Sequence, residues 1–240
     1  MQIIALLFLF FILVDFSLIL ANDVVDETEH EKRLLQFVKS KVTSHSPPLS
    51  FVNRTVYAYA DLYQIVDIDE RSSAWTVKMW IFFYYYVSAV QWNPDNYNGA
   101  FNLQVEPGTF WNPDIVPRDT IELVHATSER QVVSKTGLVV GWSAIVTQKL
   151  SCTFHVNRFP FDSQECNIRL QPWAWERGAF QLKIDHIWTS TNGAKLAPLN
   201  LRYYTEHEQW AVDKQGVLIE EVEEWDHPSG GNTSMITIRG

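Results

Sequence analysis

The apolar stretch from Trp80 to Val90, inside TVKMWIFFYYYVSAVQW (76–92), constrains the fold most tightly. It is too short to cross a bilayer, which takes about 20 apolar residues in a helix. Its β-branched and aromatic side chains suit a strand better than a leucine-rich helix. The same texture recurs in TVYAYADLYQIVDI, GLVVGWSAIVTQKL, QECNIRLQPWAW, AFQLKI, EQWAVD and SMITIRG, each bounded by turn residues. Short strands punctuated in this way predict an all-β, immunoglobulin-like β-sandwich. No helical pattern of comparable length lies between them, which argues against a parallel α/β sheet. Only the start differs: Thr28-Glu29-His30-Glu31 reads as a capping box, and Leu34, Leu35, Val38 and Val42 recur at helical spacing. One N-terminal α-helix is expected, ending before Ser46-Pro47-Pro48.

Residues 1–21 are almost wholly apolar and end in Ala21, so they read as a signal peptide, leaving 22–240 as one mature domain. No Lys or Arg precedes the apolar run, which keeps an uncut anchor as the alternative. Loss of residues 1–21 removes Asp15 alone among the charged residues and moves the net charge from −9 to −8. An acidic chain of this kind is a poor partner for nucleic acid. Asn53-Arg54-Thr55 and Asn232-Thr233-Ser234 fit the glycosylation pattern, giving Asn53 and Asn232 as candidate acceptors. In such a compartment the two cysteines, Cys152 and Cys166, favour a disulfide over two free thiols. A chain of this length buries enough apolar surface without a bridge, so the bridge should shape a loop.

Catalytic constellations are missing: the sequence has no Gly-x-Ser-x-Gly elbow, phosphate loop, His-Glu-x-x-His or Gly-x-Gly-x-x-Gly. No enzymatic activity, cofactor or metal is expected. His207 between Glu206 and Glu208 reads as a solvated edge, because adjacent strand residues do not face one point. Tryptophan carries more information, with ten in the chain. Trp80, Trp142, Trp173, Trp175 and Trp225 stand near strand ends, where rings either pack in the core or form a cage for an organic cation.

The loop CTFHVNRFPFDSQEC (152–166), with Trp173 seven residues after its second cysteine, resembles the signature loop of the Cys-loop pentameric ligand-gated ion channels. The nicotinic acetylcholine receptor branch is the nearest in pattern. Leu62-Tyr63-Gln64-Ile65-Val66-Asp67-Ile68-Asp69-Glu70 looks like that branch's first hairpin. Trp80 with Trp92-Asn93, and Trp111-Asn112-Pro113-Asp114, fit its second strand and its Trp-x-Pro-Asp motif. The resemblance covers roughly residues 30–239.

Membership implies a helix-capped sandwich, five of which form a ring with neighbours of the same or related kind. A small neurotransmitter, acetylcholine-like in charge, would bind between them. By position, Trp173 would face the cation from the principal side, with Trp175 beside it. Trp80, Val140 and Trp142 would belong to the complementary side, and Trp225 to the capping segment. The resemblance also has gaps. Arg118 stands where the branch has a tyrosine, and repels a cation unless it turns away or pairs with Asp119 or Glu122. VEEWDHPSGGNTS lacks the adjacent cysteines and paired tyrosines of principal subunits, which suggests a complementary role or another ligand. The apolar loop centre Phe159-Pro160-Phe161-Asp162 resembles the channel version, which presses on the membrane domain. Ile236-Thr237-Ile238-Arg239 resembles the approach to a first transmembrane helix, with Asp67, Asp69 and Glu70 within reach of Arg239. These features imply the extracellular face of a plasma-membrane channel subunit. The alternatives are a secreted acetylcholine-binding-protein-like pentamer and, outside the family, a carbohydrate-binding sandwich or a glycosidase.

Overall fold

The computed structural model describes residues 29–47, 52–127, 129–155, 164–173, 180–185, 196–198, 200–213, 218–226 and 232–239, the last two segments and 196–198 as backbone only. A helix over 29–39 opens the described chain and buries Leu34 and Val38 completely. It stops short of the expected Val42, where Ser40 turns its hydroxyl back onto the Phe37 carbonyl and a turn takes over. Thr28, the expected cap, lies outside the described residues.

Among the described residues twelve strands follow: β1 (Thr55–Asp69), β2 (Ala74–Tyr86), β3 (Asn102–Val105), β4 (Ile115–Pro117), β5 (Thr120–Ala126), β6 (Gln131–Ser134), β7 (Leu138–Ser151), β8 (Asn167–Pro172), β9 (Gln181–Ile184), β10 (Leu196–Pro198), β11 (Leu218–Asp226) and β12 (Asn232–Arg239). A seven-stranded sheet runs β3-β6-β7-β2-β1-β9, with β5 also paired to β7. A five-stranded sheet runs β10-β11-β12-β8-β4. Every pairing between these strands is antiparallel except β1 with β9. The all-β sandwich expected from the sequence is the fold observed.

Strand β2 explains why the stretch from Trp80 looked uniformly apolar. Alternate side chains point to opposite faces of a strand, and here both faces are covered. Val77, Met79, Ile81, Phe83 and Tyr85 join the main core, together with Val56, Ala58, Ala60 and Leu62 of β1 and Ile168 and Leu170 of β8. Phe82 and Tyr84 turn the other way and form a second cluster with Tyr59, bordered by Tyr57, Trp80, Tyr86, Leu138 and Val140.

One sequence expectation changes. EQWAVD is no strand; residues 206–213 run through bends and irregular chain beside the isolated bridge of Gln64 to Thr205. Four apolar or polar residues between charged ends do not supply a ladder partner. Conversely, LIEEVEEWD is strand β11, with its acids interleaved among Ile219, Val222 and Trp225. Its two partners, β10 and β12, fix it in the sheet.

Candidate ligand site

The principal-side candidate begins with the turn Trp111-Asn112-Pro113-Asp114. Trp111 is buried, and its carbonyl accepts the Tyr85 hydroxyl at 2.8 Å. The Asn112 side chain accepts the Asp114 N–H at 3.1 Å, and Asp114 adopts φ 52°, a left-handed conformation that Asp tolerates in such turns. The Asp114 carbonyl then accepts the backbone N–H of Trp173 at 2.9 Å. Strand β4 continues the link, pairing Ile115 with Pro172 and Pro117 with Leu170. Trp173 thus stands at the end of a backbone-paired ribbon and is 67% exposed, far more than a core tryptophan.

Beneath this ribbon, the buried Gln131 side chain ties three backbone groups together. It accepts the Phe110 N–H at 2.9 Å and donates to the Phe110 and Gly141 carbonyls at 3.1 and 2.8 Å. Gly141 is needed at this point: a Cβ would lie 2.8 Å from the Tyr85 ring and 3.0 Å from the Trp111 carbonyl. Neither Gln131 nor Gly141 was singled out in the sequence, and their only sequence signal was a glycine inside a strand pattern.

Gly141 also makes a bulge in β7. Phe83 pairs with Trp142 and Tyr84 with Val140, so the register shifts by one residue between them. A shift of one exchanges faces. Val140 therefore joins the outer aromatic cluster, whereas Trp142 stacks on Phe83 at 5.6 Å on the core side. Val140 and Trp142, both expected in the complementary side's hairpin, thus lie on β7 with opposite faces. Ser143 takes the outward place, accepting the Trp80 indole N–H at 3.0 Å.

The outer face has three cross-strand rows: Tyr57, Tyr84 and Val140; Tyr59, Phe82 and Ser143; Asp61, Trp80 and Ile145. Trp80 is half-buried, edge-on to Tyr59 at 5.7 Å and tilted on Phe82 at 5.0 Å. Asp61 is buried, and burial pushes its carboxyl above the ordinary range. The Tyr59 hydroxyl oxygen accepts the Asn200 side-chain N–H at 2.7 Å, and burial and then the Asp61 carboxylate push its phenol up to about 12.

Arg118 is exposed, and its N–H bonds the Arg169 carbonyl at 2.7 Å. The Asp119 carboxylate, expected as its partner, is gripped by Arg169 in a fork of 2.7 and 2.6 Å. Arg169 therefore braces the chain next to Arg118, a role not read from the sequence.

Cys152 and Cys166 form the disulfide, both buried in the main core. The Cys152 N–H reaches the Ser73 carbonyl at 2.9 Å, which fastens the loop neck to the β1–β2 turn. Gln164 closes the neck by accepting the His155 N–H at 2.7 Å and donating to its carbonyl at 3.2 Å. In the turn, Asp69 accepts the Arg71 and Ser72 N–H groups and the Ser72 hydroxyl, and lies 3.8 Å from Lys149. The Ser72 hydroxyl holds its carboxyl below the usual range. Asp67 and Glu70 are exposed at the same end. Arg239 pairs by backbone with Asn167 and Leu218, and Trp225 with Thr233. Phe159, Pro160, Phe161, Asp162 and Trp175 lie outside the described residues. Asn53 is exposed in a left-handed turn, and Asn232 starts β12. Among the described residues no group of His, Cys, Asp and Glu could hold a metal, and no helix is long and apolar enough to cross a membrane.

The model of the family described as neurotransmitter-gated ion-channel ligand binding domain matches residues 31–238. Among relatives, human neuronal acetylcholine receptor subunit beta-3 is 29% identical over 151 residues, covering 62% of this chain and 33% of that subunit. Chicken neuronal acetylcholine receptor subunit alpha-5 is 30% identical over 149 residues, 61% of this chain and 33% of that subunit. Goldfish subunit non-alpha-2 is 26% identical over 168 residues, 68% of this chain and 36% of that subunit. The matched part of this chain thus spans about a third of the length of these relatives. With its sandwich, its disulfide and a family match over residues 31–238, the chain belongs to the neurotransmitter-gated ion-channel ligand binding domain family.

Proposed function

We propose that this chain is the extracellular ligand-binding part of a nicotinic-receptor-like subunit, which assembles in a ring of five and binds a small cationic neurotransmitter between neighbours. The family is one of receptors rather than enzymes. The observation that carries the reading is the placement of two tryptophans. Trp80 lies on the outer face of the seven-stranded sheet, and Trp173 stands exposed at the end of β8 in the five-stranded sheet. Rings so placed serve one ligand when they belong to two chains, as in a head-to-tail ring. A cation over their faces gains from the ring quadrupoles, more so once water is excluded. Val140 and Ser143 would line the complementary side; Trp175 and Trp225 would join Trp173, with Arg118 at its margin. Trp142 would support this wall from the core side.

The disulfide neck and the acidic hairpin turn meet through Cys152 and Ser73. This contact supports a coupling role in which Phe159, Pro160, Phe161 and Asp162 press on a pore domain and Asp67, Asp69 or Glu70 faces Arg239. Residues 1–21 would be removed as a signal peptide, and Asn53 and Asn232 would carry glycans. Calorimetric titration of a choline ester into the full chain, with oligomer size measured on the same sample, tests the binding. Saturable heat from a ring, weakened at least about tenfold by Trp173→Ala, is expected. Heat unaffected by that change, or no heat from an assembled ring, refutes the reading.

A further inference from the structure

Asp61 stands directly beside Trp80. The two are direct cross-strand partners on the outer face, where Cβ atoms of opposed residues lie about 5 Å apart. Asp61 is only 1% exposed. Among the described residues neither carboxylate oxygen closes a hydrogen bond of good geometry; burial raises the carboxyl, while the Tyr59 hydroxyl and the Asn200 amide alongside, and then Arg202, favour the charged form. Asn200 is held in place from two sides, bridging Asp61 and accepting the Leu62 N–H at 3.2 Å. The carboxylate thus sits behind an aromatic wall, out of contact with water.

We propose that Asp61 is a specificity-determining residue: its buried charge, acting at short range beside Trp80, makes the complementary face select cationic over neutral ligands of the same shape. This rests on the reading of Trp80 as a ligand-facing ring. A buried charge is screened far less than one in water, so its field reaches a ligand on the neighbouring ring without contact. The cations nearby, Arg202 and Lys78, are exposed and screened by solvent. The ring quadrupole of Trp80 and the carboxylate beside it therefore act with the same sign on an ammonium group, and the carboxylate adds a preference for charge beyond that of the rings.

The test compares acetylcholine with its neutral carbon isostere, 3,3-dimethylbutyl acetate, binding to the assembled full chain and to Asp61→Asn. Asp61→Ser, which also removes the buried charge, substitutes if the first variant does not assemble. The proposal expects acetylcholine to weaken about tenfold and the isostere to stay unchanged, so that the preference for charge falls by that factor. Equal weakening of both probes would mean that Asp61 only supports the wall, and unchanged binding of both that its field does not reach the ligand. Either result overturns the proposal and leaves the site reading intact. If the unaltered assembly binds neither probe, the site reading falls and this inference with it.

Discussion

Replacing Gln131 with leucine isolates the clamp that holds the Trp111 turn against β7. The side chain is buried, and its three hydrogen bonds at 2.8 to 3.1 Å serve the Phe110 N–H, the Phe110 carbonyl and the Gly141 carbonyl. Leucine fills a similar volume but leaves all three backbone groups without this partner. A buried group that loses its hydrogen bond costs about 1–3 kcal/mol, and carbonyls are more tolerant than N–H groups. The orphaned Phe110 N–H alone accounts for about 2 kcal/mol and the two carbonyls for about 1 kcal/mol more. In a domain of this size a loss of about 3 kcal/mol lowers Tm by roughly 10 °C. Urea and thermal unfolding of Gln131→Leu, at the same chain concentration as the unaltered protein, measure this directly. A loss below about 1 kcal/mol would refute the reasoning, because these backbone groups would then have other partners.

Three further outcomes follow from the same contacts. Gly141→Ala drives a Cβ into the Tyr85 ring and the Trp111 carbonyl and should cost about 1–3 kcal/mol in urea unfolding, whereas a neutral result would mean that the bulge has room to relax. The Asp69 carboxyl is depressed in the folded state, so its contribution to the β1–β2 turn is complete above its unfolded pKa and is lost as pH falls through the lower folded one. Amide exchange at Arg71 and Ser72 should accelerate in that acid window, and Asp69→Asn should remove the pH dependence. Tyr59 is raised to about 12, so its preference for the neutral phenol supports the fold fully below about 10 and is lost as pH rises through about 12. Alkaline absorbance titration should show a component ionising near about 12 that vanishes in Tyr59→Phe, while Tyr84 and Tyr85, pushed higher still by burial, remain neutral there.

The layer architecture was legible because β1, β2 and β7 carry long β-branched and aromatic runs, and such runs have few other uses in a soluble domain. The opening helix was legible from Leu34 and Val38, which do bury their side chains. Short edge strands were not: β3, β4, β6 and β10 have three or four residues each, too few to establish an alternation. β5 hid for another reason, since all seven of its residues are exposed and no buried face marks them. Acid content disguised β11, whose place is set by its partners. The tryptophans of the site were visible, but their faces were not. One residue, Gly141, decides that Val140 looks outward and Trp142 inward, and a bulge leaves no pattern in a single sequence. The buried Gln131 and Asp61 and the partly exposed Arg169 escaped because they act on partners as far as 21, 139 and 50 residues away along the chain.

The central claim is that one ligand touches Trp173 of one chain and Trp80 of the next. Mixed assembly tests it most directly: full chains carrying Trp173→Ala and Trp80→Ala are combined in equal amounts, and choline ester sites are counted by calorimetry. Each variant alone should bind poorly. In the mixture, interfaces that join an intact Trp173 to an intact Trp80 should restore about a quarter of the sites at full affinity, as random filling of a head-to-tail ring requires. No recovery from properly assembled mixed rings would contradict the account, because it would place both tryptophans in a site belonging to a single chain.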